Sequence, residues 1–223
     1  MSKIRDLALA VVGACIVTCG PAVALTTTFT SSAAFSAATA GNVLTVEQYA
    51  GGTAGQTIGN GGSFDGLTYN FIAGPSGTLS GGIITDQFNS FSGLSLGGDQ
   101  SGAAQFFFGG DSFTVTFPVP IKAVGLFFNV NPDSGNFGVN TPVGNVSTGS
   151  AVYDTATFVF AGLVSTDAFS TITVFSDDVT LGSYNIPEIE FATATPLPAT
   201  LPLFATGLAG LGWLTRRGRK QAA

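Results

Sequence analysis

A chain of 223 residues with 31 glycines, 20 phenylalanines and only 9% charged residues can form one sizeable domain with an aromatic core, and it is too apolar for disorder. It has no histidine, and its only cysteines are Cys15 and Cys19; this excludes Ser-His and Cys-His catalysis, removes the commonest metal ligand and leaves the body without a disulfide framework. Between Leu25 and Thr195 a single base, Lys122, stands against twelve acids, so the body repels phosphate backbones and nucleic acid is excluded as a partner.

Residues 1–24 begin with Lys3 and Arg5, continue with an apolar run from Leu7 to Cys19, and end in Ala22-Val23-Ala24. A positive start, a short apolar helix and small residues at Ala22 and Ala24 are the layout of a secretory signal cleaved after Ala24. A retained anchor is disfavoured because the run is short of the ~20 residues that span a bilayer. Val12-Gly13-Ala14-Cys15 is a competing but poorer lipobox-like pattern.

The body, 25–194, is predicted to be all-β. Ser31 to Ala40 reads as one short helix capped by Thr30 or Ser31, with Phe35 turned inward. Strands are expected near 43–49, 66–73, 83–89, 104–108, 112–119, 121–130, 152–161, 169–176 and 184–192, divided by Gly, Asn, Asp and Pro clusters. The clearest signal is the alternation of Phe113, Val115, Phe117 and Val119 with Ser112, Thr114 and Thr116, which defines a half-buried antiparallel strand. Val124-Gly125-Leu126-Phe127-Phe128 is apolar on both faces and belongs in the middle of the core. Ile172, Val174, Ile189 and Phe191 are expected to point inward. The pattern favours an antiparallel β-sandwich, with the jelly roll as the preferred topology. Gly51 to Gly62 is a glycine-rich loop without the Gly-Lys-Ser/Thr ending of a phosphate loop.

Few residues in the body carry chemistry. Glu188 and Glu190 share one strand face, about 6.6–7 Å apart between Cα atoms. That spacing admits a carboxylate pair for glycoside hydrolysis, but Glu alternating with Ile and Phe also reads as an ordinary solvent-facing strand. Asn131 and Asp133, in an oxygen-rich loop, and the pair Asp177-Asp178 are candidate ligands for a structural calcium ion. The loop departs from an EF-hand, since its glycine comes late, at Gly135, and Asn140 stands where the bidentate Glu belongs. Apart from such a calcium, no cofactor is expected. Lys122 is too isolated for a Ser-Lys dyad and reads as a snorkelling edge residue. Asn145-Val146-Ser147 fits the glycosylation pattern.

The last segment, 195–223, differs from the rest. Pro196, Leu197, Pro198 and Ala199 precede an uncharged stretch ending near Thr215, followed by Arg216, Arg217, Arg219 and Lys220. Pro202 suits a first helical turn, and the basic cluster suits a cytoplasmic stop. Pro202 to Leu214 would be a short single transmembrane helix, about 20 Å long against a ~30 Å hydrocarbon core.

Proline motif, short apolar helix and basic end together resemble a PEP-CTERM sorting signal of the VPLPA type. Thr195 stands in place of the usual Val, and Gly218 interrupts the basic run. Leu197-Pro198-Ala199-Thr200 also resembles a sortase motif, but Leu201 occupies the position of its Gly. The PEP-CTERM resemblance implies recognition by an exosortase, a membrane transpeptidase, with cleavage near Pro196 to Ala199. It further implies export in a Gram-negative bacterium, passage through the inner membrane, and delivery to the cell surface or extracellular matrix. The resulting expectation is a non-enzymatic exported protein; the alternative is a carbohydrate-binding jelly-roll module associated with extracellular polysaccharide.

Overall fold

Alternation from Ser112 to Phe117 buries Phe113, Val115 and Phe117 and leaves the intervening hydroxyl residues half-exposed. The strand continues far beyond the predicted end. A computed structural model describes residues 24–75, 78–87, 90–100, 105–130, 133–153, 155, 157–177 and 183–193. Along these residues run strands β1 (Thr26–Phe29), β2 (Leu44–Glu47), β3 (Thr57–Gly59), β4 (Gly62–Phe64), β5 (Leu67–Ile72), β6 (Gly81–Thr85), β7 (Ser95–Gly98) and β8 (Phe107–Phe108). Then follow β9 (Ser112–Val130), β10 (Asp133–Gly135), β11 (Phe137–Thr141), β12 (Gly144–Ser147), β13 (Ala151–Tyr153), β14 (Thr157–Ser176) and β15 (Ser183–Thr193). One short helix, α1 (Ser32–Ala38), lies between β1 and β2. The protein is thus mostly β, built on an antiparallel sheet of many strands.

Thirteen of the described strands join one sheet; β10 and β13 pair separately. Two long strands, β9 and β14, organise it. They pair with each other at both ends, Thr157↔Val130 to Val164↔Ala123 and Thr171↔Thr116 to Phe175↔Ser112. Between these stretches both bend. Strand β9 carries Pro118 and Pro120, which cannot donate to a ladder, and β14 shifts register between Val164 and Thr171. Before the bend, β9 has β5 as its second neighbour, from Thr68↔Thr116 to Ile72↔Ser112. After it the second neighbour is β15, from Thr193↔Ile121 to Tyr184↔Val130. The two predicted strands 112–119 and 121–130 are therefore one strand that turns a corner. Val119 is correspondingly 46% exposed rather than inward.

The two halves of the sheet share one core. Phe117 meets Phe191 at 4.9 Å, Phe107 meets Phe113 at 4.9 Å, and Phe137 meets Tyr184 at 5.5 Å. Ile172, Val174 and Ile189 are buried in it as expected, as are Val124, Leu126 and Phe128. Each fully buried side chain of this size contributes roughly 1.5–3 kcal/mol.

The predicted helix forms with Ser31 as its N-cap and Phe35 completely buried. Phe35 does not enter the main core. It joins Phe160, Ala123 and Ala192 on the opposite face of the second half-sheet. The segment 137–147, not predicted as strand, is a hairpin. Thr141 Oγ1 accepts from Val143 N and Gly144 N and donates to Gly144 O, closing the turn. The exposed Asn145 of the glycosylation pattern lies on its outer strand, β12.

Candidate functional site

The densest collection of perturbed polar groups lies where β2 pairs β15, from Ile189↔Glu47 to Ala192↔Leu44. Strand alternation sends Glu188 and Glu190 to one face and Glu47 to the other.

On the outer face the solvent-facing reading of Glu188 and Glu190 is overturned. Glu188 is only 6% exposed and Glu190 half-buried. Strand β15 is flanked on both edges by β9 and β2, and the face itself is capped by α1 and the residues around Phe127 and Phe160. Gln48 Nε2 donates to Glu188 Oε2. No donor reaches the buried Glu190 Oε2. Burial, followed by the hydrogen bond to Glu188 and its charge, pushes the Glu190 carboxyl up to about 7. Such a bond requires a proton on one of the two acids. Burial and the neighbouring Glu188 thus favour the protonated form of Glu190.

On the inner face Glu47 is buried and accepts from the backbone N of Tyr49. Burial, then a hydrogen bond to Asp65, holds it up to about 7 against the opposing pull of the Tyr49 amide. Tyr49 and Asp65 both adopt left-handed backbone, φ 59° and 47°, a conformation uncommon outside glycine. The buried hydroxyls of Tyr49 and Tyr69 lack well-formed hydrogen bonds, and burial drives both phenols above their ordinary range. Strained backbone beside under-satisfied buried polar groups is a common feature of functional sites. Nothing in the local sequence announces this cluster, because Glu47, Asp65 and Tyr69 converge only through tertiary pairing.

A third buried acid, Asp111, acts as a bracket. Its Oδ1 accepts from Gly74 N at 2.7 Å, and its Oδ2 from Phe108 N at 2.9 Å and from Gln100 Nε2. Its carbonyl accepts from Tyr184 Oη at 2.8 Å. Burial raises its carboxyl despite those donors. Together these bonds tie three loops to the start of β15.

Of the residues singled out from sequence, Asp177 accepts from Asn136 through both oxygens, from the backbone N at 3.1 Å and from Nδ2 at 2.8 Å. Its carboxylate is thus occupied within the protein. Asp133 opens β10, while Asn131 and Asp178 lie outside the described residues. Among the described residues no group of three or more acidic or thiol ligands is placed to hold a metal. Lys122 is exposed, as a snorkelling residue should be. Ala24 precedes β1, and Ala22 lies outside the described residues, as do Pro196 to Ala199 and the basic cluster from Arg216 to Lys220. Among the described residues no helix is long and apolar enough to cross a membrane.

Sequence reasoning missed an aromatic group on the outer face. Phe127 and Phe160 are cross-strand neighbours there, and Glu188 pairs Phe127 from the other side. Phe91 stacks on Phe158 with centroids 4.9 Å apart and meets Phe127 edge-on at 4.9 Å. Phe91 is 48% exposed and Phe158 40%. The signal in the sequence was Phe158-Val159-Phe160, apolar on both faces at a strand's start; the partner loop is more than sixty residues away.

No family model matches the chain, and no curated protein matches it in sequence. Distant structural likenesses exist. One is to the catalytic unit of a thermostable GH87 alpha-1,3-glucanase from Streptomyces thermodiastaticus, with TM-score 0.33, 11% identity, and 70% of this chain against 28% of that one. Another is to the CBM22-1–GH10 modules of endo-1,4-beta-D-xylanase 10B from Clostridium thermocellum, with TM-score 0.28, 10% identity, and 66% against 30%. This chain spans less than a third of either protein, and likenesses at this level assign neither a fold family nor an activity.

Proposed function

We propose that the chain is an exported, non-enzymatic surface or matrix protein. Its β domain is a sandwich of the jelly-roll kind, delivered by the C-terminal sorting segment. The observation that carries this reading is the position of the last described strand next to the proline motif. Strand β15 pairs β9 up to Thr193↔Ile121, and the proline motif begins at Pro196. A processing enzyme acting near Pro196 to Ala199 would therefore cut just past the last strand of the described residues.

The burial of Glu188, whose carboxylate accepts from Gln48 Nε2, supports a non-enzymatic role for that acid. The partner in this reading is an exosortase-type membrane transpeptidase, engaged through the segment 195–223, and residence in the inner membrane is transient. The test is the intact mass and C-terminal peptide of the protein from its native host, by cell fraction. A body found outside the membrane and lacking 203–223 supports processing. An intact tail confined to the membrane fraction overturns it in favour of a permanently anchored surface domain.

A further inference from the structure

On the outer face of the second half-sheet, next to the aromatic group, is a cavity of about 370 Å³. That is within the ~300–1,000 Å³ of small-molecule sites. Its lining combines the aromatic rings of Phe127, Phe158 and Tyr153 with the hydroxyls of Thr30, Ser31 and Ser32, and among the described residues no charged one lines it. We propose that this cavity binds a neutral sugar unit of a polysaccharide, with Phe158 and Phe91 as the stacking platform. The inference goes beyond the sorting reading and does not rest on it.

Several observations point to this ligand class. Phe91 and Phe158 are the only aromatic residues among the large apolar side chains left exposed in the described residues. They stack on each other, and Phe158 lines the cavity; an exposed apolar cluster of that kind marks a binding surface. The platform is held in place before any ligand arrives. Ser92, next to Phe91, donates from Oγ to the Gln48 carbonyl at 2.5 Å, and the Phe127 edge supports the Phe91 ring from below. Ser31, which also lines the cavity, makes no capping bond with its hydroxyl, so that group is available to a ligand.

A sugar ring matches this combination. Its C–H face packs on an aromatic ring, while its hydroxyls need donors and acceptors that are not charged. Charge decides between glycans. The body has one base against twelve acids, and Glu188 lies beside Phe127 in register, so a uronate or sulfate polymer is repelled. A purely apolar ligand would leave the hydroxyls of the cavity desolvated without partners, which is costly.

The test uses the full chain in detergent micelles. It is run through native gels containing dextran, barley β-glucan or galactomannan as neutral probes and alginate as the anionic one. At least one neutral polymer is expected to retard the chain, and alginate is not. Phe158→Ala and Phe91→Ala should each weaken the apparent Kd by tenfold or more without moving the thermal midpoint by more than a few degrees. Phe158→Trp should restore binding, Ser31→Ala should weaken it several-fold, and Ile72→Ala, which removes another exposed apolar side chain, should leave it unchanged. Ser31→Ala keeps the test decisive if an aromatic variant fails to fold. Lack of retardation by any neutral polymer, equal retardation by alginate, or binding that persists in a folded Phe91→Ala/Phe158→Ala double variant would each overturn the proposal. Loss of glycan binding with normal tail processing would leave the sorting reading intact, and the reverse result would leave this one.

Discussion

The ring of Phe35 rests on the backbone of Gly162: a Cβ built on that glycine would lie 2.8 Å from Phe35 Cδ2 and 2.7 Å from Phe160 Cε1. Gly125, its cross-strand neighbour, is similarly crowded, 2.6 Å from Phe160 Cζ. Two glycines side by side on β9 and β14 thus form a saddle, and the only helix among the described residues is fastened there by one aromatic side chain.

Gly162→Ala should therefore strain the saddle and destabilise the protein by about 1–3 kcal/mol, the range for overpacking. Phe35→Ala should cost about 3–5 kcal/mol through lost burial and the cavity left behind. Gly51→Ala is the control, since a Cβ there meets nothing within 4 Å. Chemical denaturation of the three variants checks this. Equal midpoints for Gly162→Ala and Gly51→Ala would show that the saddle gives way easily.

Asp111→Ala should lower stability by about 3 kcal/mol. It strips acceptors from two backbone amides and a glutamine amide in one buried site, and unsatisfied buried donors cost ~1–3 kcal/mol each before relaxation. Asp111→Asn keeps one acceptor oxygen, so its loss should be smaller. Hydrogen exchange should rise at both the Gly74 and Phe108 amides in Asp111→Ala and at one of them in Asp111→Asn, and amides that stay protected in Asp111→Ala would refute the bracket.

Much of this organisation was readable in advance, for reasons that also explain the failures. Period-two alternation located Phe113 to Phe117, and the residues 31–40 gave the helix with its buried Phe35, because local pattern and final environment agree there. Pro118 and Pro120 locally signal a strand end, yet the chain passes through them, since a sheet folding over its own core needs a corner at that point. Glu188 and Glu190 alternate with apolar residues and so read as exposed. Around them stand Gln48, Phe127 and the cluster of Phe35 and Phe160, all outside the local stretch of sequence. Glu47 and Asp111 are surrounded by groups that no local window contains. The site was legible only as residue types, whereas its burial is a tertiary property.

Asp177 offers a test of the calcium expectation. Both its oxygens bond Asn136, which ties the start of β11 to the end of β14. Chelator should leave the thermal midpoint unchanged, and Asp177→Ala should lower stability by about 0.5–1.5 kcal/mol, the net worth of an ordinary hydrogen bond. A midpoint that falls on chelation and recovers with calcium would assign that carboxylate to an ion instead.

The carboxyls at the β2–β15 seam set a direction for pH dependence. Glu190 and Glu47 are each held up to about 7 when folded, from an ordinary value of 4.5. Between these values the folded state holds protons that the unfolded chain has released, so stability must fall as pH rises. The contribution is complete below about pH 4.5 and lost as pH passes through about 7. A tenfold change in proton affinity is worth ~1.4 kcal/mol, and solvent screening at half-exposed Glu190 leaves on the order of 1 kcal/mol for that group. The thermal midpoint at pH 5 should therefore exceed that at pH 8 by about 2–4 °C for a domain of this size. Glu190→Gln supplies a permanent donor to Glu188 without needing a proton, so it should flatten much of the slope and raise the midpoint at pH 8. A wild-type midpoint that climbs from pH 5 to pH 8, or a Gln variant with an unchanged slope, would mean that Glu188 and Glu190 do not share a proton in the folded protein.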